Sequence, residues 1–187
     1  KVDLADIDLV YFSAHKIYGL KGIGGLLKKP DISIEPVVHG GKSTTVFRGG
    51  TPATELIASM AEAVVIATEN LDQNRKKVSA INKYLEEKLG EIPGVLFNSN
   101  CHSIPQIVNI SVMQGSGKDL QKALSDSDIY VSTQTACSSD KGFSDHLMRI
   151  FGDPLRASTS LRISLSHLTT IDEINHFVSR LKAELRP

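Results

Sequence analysis

The sequence has little that would direct the chain to a membrane, to a nucleic acid or out of the cell. Its 21 basic residues balance 21 acidic ones, so no field of one sign attracts an anionic surface. No apolar run is long enough to cross a bilayer, and the first residues lack the charged and apolar regions of an export signal. We therefore expect a cytoplasmic protein with neither nucleic acid nor membrane as a partner.

Cysteine is scarce as well, since Cys101 and Cys137 are the only two. A chain without an export signal normally keeps such thiols reduced. Hydrophobic residues make up 41% of the 187, which is enough to bury a core and predicts a globular protein. The sequence begins at Lys1 without a methionine, so we expect part of a longer protein.

Two short apolar stretches predict strands near the N-terminus, at residues 7–12 and around residues 26–27. The polar residues 13–16 follow the first of them, where open α/β sheets usually bind ligands. Glycines in residues 39–41 and 48–50 predict a loop.

Apolar residues at helical spacing over 55–89 predict one long helix or two consecutive helices, with Thr51 and Thr54 as candidate N-caps. From Pro93 onwards the pattern is typical of an α+β domain. It predicts strands at 94–97, 107–112, 129–132 and 160–164, and helices at 118–125, 145–151 and 171–185, the last with a Thr170/Glu173 capping box.

Lys16 is the first candidate for chemistry. A lysine that forms a Schiff base needs local desolvation and a nearby anion-binding setting for a cofactor phosphate. Ser13, His15 and the N–H groups of a glycine-rich loop offer such a setting. On periodicity alone, a solvated surface lysine is the commoner outcome.

Residues 13–19, followed by Lys21-Gly22-Ile23-Gly24, resemble the cofactor-lysine segment of class V aminotransferase-like enzymes, specifically the cysteine desulfurases of iron-sulfur cluster assembly. The resemblance implies that Lys16 carries pyridoxal 5'-phosphate (PLP) and that Ser13 and His15 contact its phosphate. It also implies an α/β, fold type I PLP enzyme. Residues 1–70 then form the end of its large PLP-binding domain and residues 71–187 an α+β small C-terminal domain.

Residues 39–41 and 48–51 resemble the glycine-rich loop and the Arg-Ser-Gly-Thr motif of the same family, with Gly49 in the place of the serine. The resemblance implies that Thr51 reaches the cofactor phosphate of the partner subunit in a homodimer. The alternative is a simple structural turn.

Cys137 lies in a run of small polar residues, 132–139, which favours an exposed thiol over a buried structural one. The run resembles the Ser-Ala-Cys-Ser-Ser loop of the family, whose cysteine attacks the substrate sulfur and leaves as a persulfide. Cys101 stands beside His102, but two residues make a weak metal site, and we expect no metal.

Arg162 alternates with apolar residues on the predicted strand 160–164, where a lone arginine is most often solvated. Residues 162–165 and 169–174 resemble the Arg-Ile-Ser-Leu and Thr-Thr-x-Glu-Glu-Ile segments of the family. The resemblance implies that Arg162 binds the substrate carboxylate, a role that suits a planar, bidentate donor.

The resemblance implies a PLP-dependent cysteine desulfurase, a transferase that converts L-cysteine to L-alanine and passes sulfur from a Cys137 persulfide to a sulfur-acceptor protein. The family's ring-stacking histidine, its aspartate at the pyridine nitrogen and its glutamine near the cofactor oxygen fall before Lys1. We therefore expect this chain alone to bind PLP poorly and to turn over little.

Two alternatives remain open. A selenocysteine lyase or another class V enzyme would share Lys16 and Arg162 but depend less on Cys137. A non-catalytic scaffold would keep the fold and bind partners of sulfur assembly; the joint presence of Lys16, Cys137 and Arg162 argues against it.

Overall fold

The computed structural model of the protein describes residues 3–41, 45–133 and 142–185. The chain divides into two compact units, Lys1–Leu71 and Asp72–Pro187, called here the N-unit and the C-unit. The assignment of residues 1–70 to a large domain and 71–187 to a small one stays a prediction. Within the described stretches, no helix is both long and apolar enough to cross a membrane.

The N-unit begins with an antiparallel hairpin of strands β1 (Leu9–Ser13) and β2 (Gly24–Lys28), in which Ser13 lies opposite Gly24. A 3-10 turn, Ala14–Ile17, follows β1 directly. Glycine is required at position 24, because a Cβ there would lie 2.5 Å from the Phe12 carbonyl oxygen. The hairpin therefore fixes where β1 ends and the turn begins.

Helix α1 (Thr54–Glu69) completes the N-unit, and α2 (Leu71–Gly90) follows it, so of the two alternatives left open by the sequence the structure has two consecutive helices. The break falls at Asn70, where the backbone N–H, at 3.2 Å, and the side-chain amide, at 2.9 Å, both donate to the Ile66 carbonyl.

The expected threonine cap of α1 is wrong. The N-cap is Ala53, with no side-chain hydrogen bond, because Thr54 already has a place inside the first turn and Thr51 lies before the cap.

The C-unit contains a three-stranded antiparallel sheet in the order β3 (Val95–Phe97), β4 (Ile107–Val112) and β5 (Ser160–Ser164). Helix α2 and four later helices accompany it: α3 (Gly117–Ser125), α4 (Asp145–Phe151), α5 (Pro154–Ser158) and α6 (Ile171–Glu184). The core combines fully buried side chains from α2, β4, α3, β5 and α6, among them Leu85, Leu89, Val108, Ile110, Leu124, Leu161 and Leu181.

Two predictions for the C-unit need correction. Residues 129–132 form no strand, because Ser132 alone makes a bridge, to Arg162 on β5. Helix α5 was not predicted, although its start carries a recognisable signal: the Asp153 side chain accepts a hydrogen bond from the Arg156 N–H at 3.0 Å, and Pro154 occupies the first turn. Five residues are too few for hydrophobic periodicity to reveal a helix.

Helix α6 has the predicted capping box, which is confirmed. Thr170 Oγ1 accepts from the Glu173 N–H at 3.2 Å, and the Thr170 N–H donates to the Glu173 carboxylate at 2.7 Å. The backbone hydrogen bond, together with a second one from the Thr170 hydroxyl, lowers the pKa of Glu173 because both favour the charged form.

The capping box predicts a pH dependence of stability. Since the pKa of Glu173 is lower in the folded protein, its contribution is present above the unfolded-state pKa and is lost as pH falls through the folded-state pKa. Glu173→Gln should therefore be less stable than wild type at neutral pH, and the difference should vanish in acid.

Urea unfolding of both proteins across this pH range measures the effect. Glu86→Gln, at an exposed site on α2, is the control and should follow wild type throughout. Equal losses for the two glutamine variants at neutral pH would contradict the capping role of Glu173.

Thr170→Ala should lower the free energy of unfolding by about 1 kcal/mol at neutral pH.

Candidate active site

Lys16 lies in the 3-10 turn that follows β1, and the backbone holds this turn closed. The Gly19 N–H donates to the Ala14 carbonyl at 2.9 Å, and the Ala14 N–H donates to the Ile23 carbonyl at 3.1 Å. Tyr18 ends the turn in the left-handed region, with φ 68°. The sequence therefore presents Ser13, His15 and Lys16 from one fixed segment.

Helix α1 supports the same turn through small residues. Ala14 is fully buried, and a Cβ on Gly19 would lie 3.1 Å from the Ala14 Cβ and 3.3 Å from that of Ala63. The Leu20 N–H donates to the Ser59 hydroxyl at 3.3 Å. The lysine turn is thus attached to α1, while the side chains of His15 and Lys16 remain exposed.

The glycine-rich loop crosses itself between Gly40 and Gly49. The Gly49 N–H donates to the Val38 carbonyl at 2.9 Å, and a Cβ on Gly49 would lie 2.8 Å from the Gly40 Cα. Any larger residue, serine included, would clash with this backbone. The crossing therefore accounts for glycine at position 49, and it leads the chain to Thr51, which is exposed two residues later.

Arg162 lies in the middle of β5, between Asn109 on β4 and the bridge residue Ser132. The Ser132 N–H donates to the Arg162 carbonyl at 3.1 Å, and the Arg162 N–H donates to the Ser132 carbonyl. One guanidinium nitrogen, Nη2, donates to the Ser132 hydroxyl at 3.2 Å. The arginine is half-buried, and its Nε is buried without a hydrogen-bond partner among the described residues, so it is not the solvated arginine that periodicity favours.

A network of polar side chains covers the same face of the sheet. The Asn98 amide donates to Asn109 at 2.7 Å and to the Ser111 hydroxyl at 2.8 Å, and Ser111 donates to the Arg156 carbonyl at 2.7 Å. Arg156 in turn bonds Asn98 and lies 3.6 Å from the centre of the Phe151 ring. Sequence reasoning missed this network and Ser132, although polar residues alternating with apolar ones on β4 were a usable signal.

The structure brings some of the predicted site residues together and leaves others apart. Ser13 ends β1 and His15 and Lys16 lie in the turn that follows, whereas Thr51 lies just before α1. Arg162 belongs to the C-unit.

Cys137 lies outside the described residues. In the described part of the chain, Cys101 is exposed and no group of three metal-binding side chains occurs.

The described elements form a mixed α/β chain, in which the lysine turn follows a strand and Arg162 lies on a sheet. The model of the aminotransferase class-V family matches residues 1–177. The chain therefore belongs to the class V aminotransferase family. Class V aminotransferases and cysteine desulfurases are PLP-dependent.

The chain is similar to curated proteins named cysteine desulfurase IscS. It is 36% identical to that of Methylobacillus flagellatus over 184 residues, and 34% identical to that of Tolumonas auensis over 186 residues. These alignments cover 96% and 97% of this chain but 45% of each relative. The chain thus spans about half the length of the curated relatives it matches.

Solved structures give the same result for the fold. A NifS-like protein is 30% identical with a TM-score of 0.85, over 96% of this chain and 47% of its own. A second, from Rickettsia africae, is 27% identical with a TM-score of 0.82, over 94% of this chain and 47% of its own. The predicted α/β fold of a fold type I PLP enzyme is confirmed; the small-domain assignment stays a prediction.

The crossing of the glycine-rich loop predicts a difference between two glycines. Gly49→Ala should destabilise the loop by about 1–3 kcal/mol, because the new Cβ meets backbone that has to shift. Gly41→Ala is the matched control, since no atom lies within 4 Å of a Cβ there.

Hydrogen exchange of the residue 49 amide measures this directly, because that amide is bonded to Val38. Exchange should become at least about tenfold faster in Gly49→Ala and stay unchanged in Gly41→Ala. Equal protection in the two variants would show that the crossing is absent in solution.

Proposed function

We propose that the protein containing this chain is a PLP-dependent cysteine desulfurase that converts L-cysteine to L-alanine. The observation that carries the proposal is the continuous similarity, over 96% of the chain, to a protein named cysteine desulfurase. Lys16, Cys137 and Arg162 are the residues to which the proposal assigns the chemistry.

The donor set of the N-unit fits PLP. An exposed primary amine, Lys16, is close in sequence to one hydroxyl and one imidazole, and this combination suits an aldehyde that carries a phosphate. In this proposal Lys16 holds the aldehyde carbon, and Ser13 and His15 bind the phosphate. Thr51 contacts the phosphate in the partner subunit of a homodimer. When bound, PLP supplies the electron sink for cleavage at the substrate.

The chain's own residues have three roles in the reaction. Arg162 binds the carboxylate of L-cysteine, and its Nε, which has no hydrogen-bond partner among the described residues, supports this role because a carboxylate would satisfy it. Lys16 moves protons to and from the substrate. The Cys137 thiolate attacks the substrate sulfur, so that an S–S bond forms while the C–S bond breaks. The bonding electron pair stays with the substrate carbon, which takes a proton to become the methyl group of alanine, and the sulfur remains on Cys137 as a persulfide.

The wider setting is also a proposal. A sulfur-acceptor protein takes the persulfide sulfur, and iron-sulfur cluster assembly in the cytoplasm consumes it. Because the chain spans about half the length of its relatives, we expect activity from the longest natural form of the protein and little from these 187 residues alone.

The role of Lys16 can be tested by absorption spectroscopy. With PLP, the longest natural form should show a visible band that changes when L-cysteine is added. Lys16→Ala should lose the band, and its turnover should fall roughly 10²- to 10⁴-fold. Lys21→Ala, an exposed lysine in the same loop, should keep both.

Borohydride treatment and peptide mass spectrometry should find the cofactor attached at Lys16. A band that survives in Lys16→Ala would refute the assignment. Absence of a band in the wild-type protein would favour the non-catalytic scaffold.

The role of Cys137 separates a desulfurase from a selenocysteine lyase. Cys137→Ser should lose sulfur transfer from L-cysteine and the trappable persulfide, because serine cannot store sulfur. Cys101→Ser is the matched control, since this exposed thiol has no part in the proposal. Undiminished alanine formation from selenocysteine in Cys137→Ser, with no cysteine activity in wild type, would favour the lyase.

A further inference from the structure

We propose that Ser132 is a positioning residue for Arg162: its hydroxyl holds the guanidinium so that the buried Nε–H stays available to a substrate carboxylate. The inference rests on the proposed role of Arg162 as the carboxylate-binding residue. It adds a residue that the family resemblance did not single out.

The backbone brings the two side chains together. Ser132 and Arg162 exchange both of their hydrogen bonds, N–H to carbonyl in each direction, so they form a hydrogen-bonded antiparallel pair. Directly opposed residues of such a pair place their side chains on the same face. One further contact secures the segment that carries Ser132, because the Ser160 hydroxyl donates to the Thr133 carbonyl at 3.2 Å.

The hydroxyl then selects one arrangement of the guanidinium. Arg162 Nη2 donates to the Ser132 Oγ at 3.2 Å, which is the one hydrogen bond recorded for this side chain within the described residues. A serine oxygen that accepts in this way keeps its own hydrogen for donation. Ser132 therefore fixes the arginine without using up the capacity of the pair to bind an anion.

Asn109, on the other side of Arg162, has a different hydrogen-bond partner. Asn109 lies opposite Arg162 on β4, but its side-chain oxygen accepts from the Asn98 amide at 2.7 Å. Since Arg162 bonds to Ser132 through both backbone groups, Asn109 and Arg162 form a non-hydrogen-bonded pair, in which side chains stand closer. Asn109 thus lies opposite the arginine on β4, whereas the Ser132 hydroxyl binds its charged end.

The buried Nε is the observation that points to a ligand. A buried donor on a charged group is normally paired, and exceptions in folded proteins need an explanation. Arg162 Nε has no partner in the described part of the chain, although Nη2 of the same group has one. A carboxylate accepts two N–H groups of a guanidinium at once, which matches a guanidinium whose hydrogen-bond partner among the described residues is one hydroxyl.

The first test needs no cofactor and uses the longest natural form of the protein without PLP. In wild type, the Arg162 Nε–H should give a resolved NMR signal that exchanges slowly with water, because the atom is buried. Ser132→Ala should shift this signal and speed its exchange roughly tenfold, the factor that corresponds to one hydrogen bond to a charged group. Ser132→Thr keeps a hydroxyl and should restore the wild-type signal.

The matched control is Ser164→Ala, which removes a hydroxyl from an exposed site on the same strand and face. It should leave the Arg162 signal unchanged. An unchanged signal in Ser132→Ala would overturn the proposal, whatever the enzyme does.

The second test measures steady-state kinetics on the longest natural form of the protein. Ser132→Ala should raise KM for L-cysteine roughly tenfold and leave kcat within about twofold, as expected when ground-state binding is weakened. It should also reduce the preference for L-cysteine over cysteamine, which lacks the carboxylate. Ser132→Thr should recover both values, and a loss of kcat with unchanged KM would contradict a positioning role.

The two tests separate this inference from the proposed function. If Arg162→Lys leaves the preference for L-cysteine over cysteamine unchanged, Arg162 does not bind the carboxylate and the proposed role fails. A shifted NMR signal in Ser132→Ala would still establish the contact between the two side chains. If the preference depends on Arg162 but not on Ser132, the proposed function stands and the positioning role fails.

Discussion

The pairing of β4 with β5 in a single register is the constraint on which the rest of the C-unit depends. It aligns Val108, Ile110, Leu161 and Ile163 toward the core, while Arg162 shares the opposite face with Asn109. A slip of one residue would reverse every side chain on β5 and carry the guanidinium into an apolar core. Because that cost is high, the register that builds the core also determines where the arginine lies.

The sheet face opposite the core is held by hydrogen bonds between polar side chains. Ser111 is fully buried there, which a polar residue tolerates only with hydrogen-bond partners, and Asn98 and the Arg156 carbonyl supply them. Arg156 belongs to α5 and stacks on Phe151, so this short helix covers the sheet instead of leaving it to solvent. The surroundings of Arg162 are therefore fixed before any ligand binds, which is what precise recognition of a carboxylate requires.

Sequence patterns predicted the elements that are long or carry a strong local signal. The β4 and β5 strands alternate apolar and polar residues, and Thr170 and Glu173 stand at the spacing of a capping box. The misses arose where one interaction outside the local pattern decides the structure. Residues 129–132 are not the predicted strand, and Ser132 instead joins β5 by a single bridge.

The candidate site shows the same division. Lys16 and Arg162 were recognisable because each lies in a characteristic run of residues, whereas Ser132 and Asn98 act through contacts between distant parts of the chain. Such contacts depend on strand register and on how loops cross, and a short sequence motif specifies neither. Cys137 was recognisable by its motif alone, and it lies outside the described residues.

The two units differ in how they hold their site residues, and this difference bears on what the chain can do by itself. The C-unit packs its sheet and helices around a buried apolar core. In the described part of the N-unit, by contrast, the buried apolar residues are Ala14 and Ala63, and Tyr11 is 87% exposed. Backbone hydrogen bonds and close contacts between small residues shape the lysine turn without desolvating the amine. A Schiff-base lysine is activated by desolvation, so the turn supplies the position of Lys16 and not the desolvation that would activate its amine.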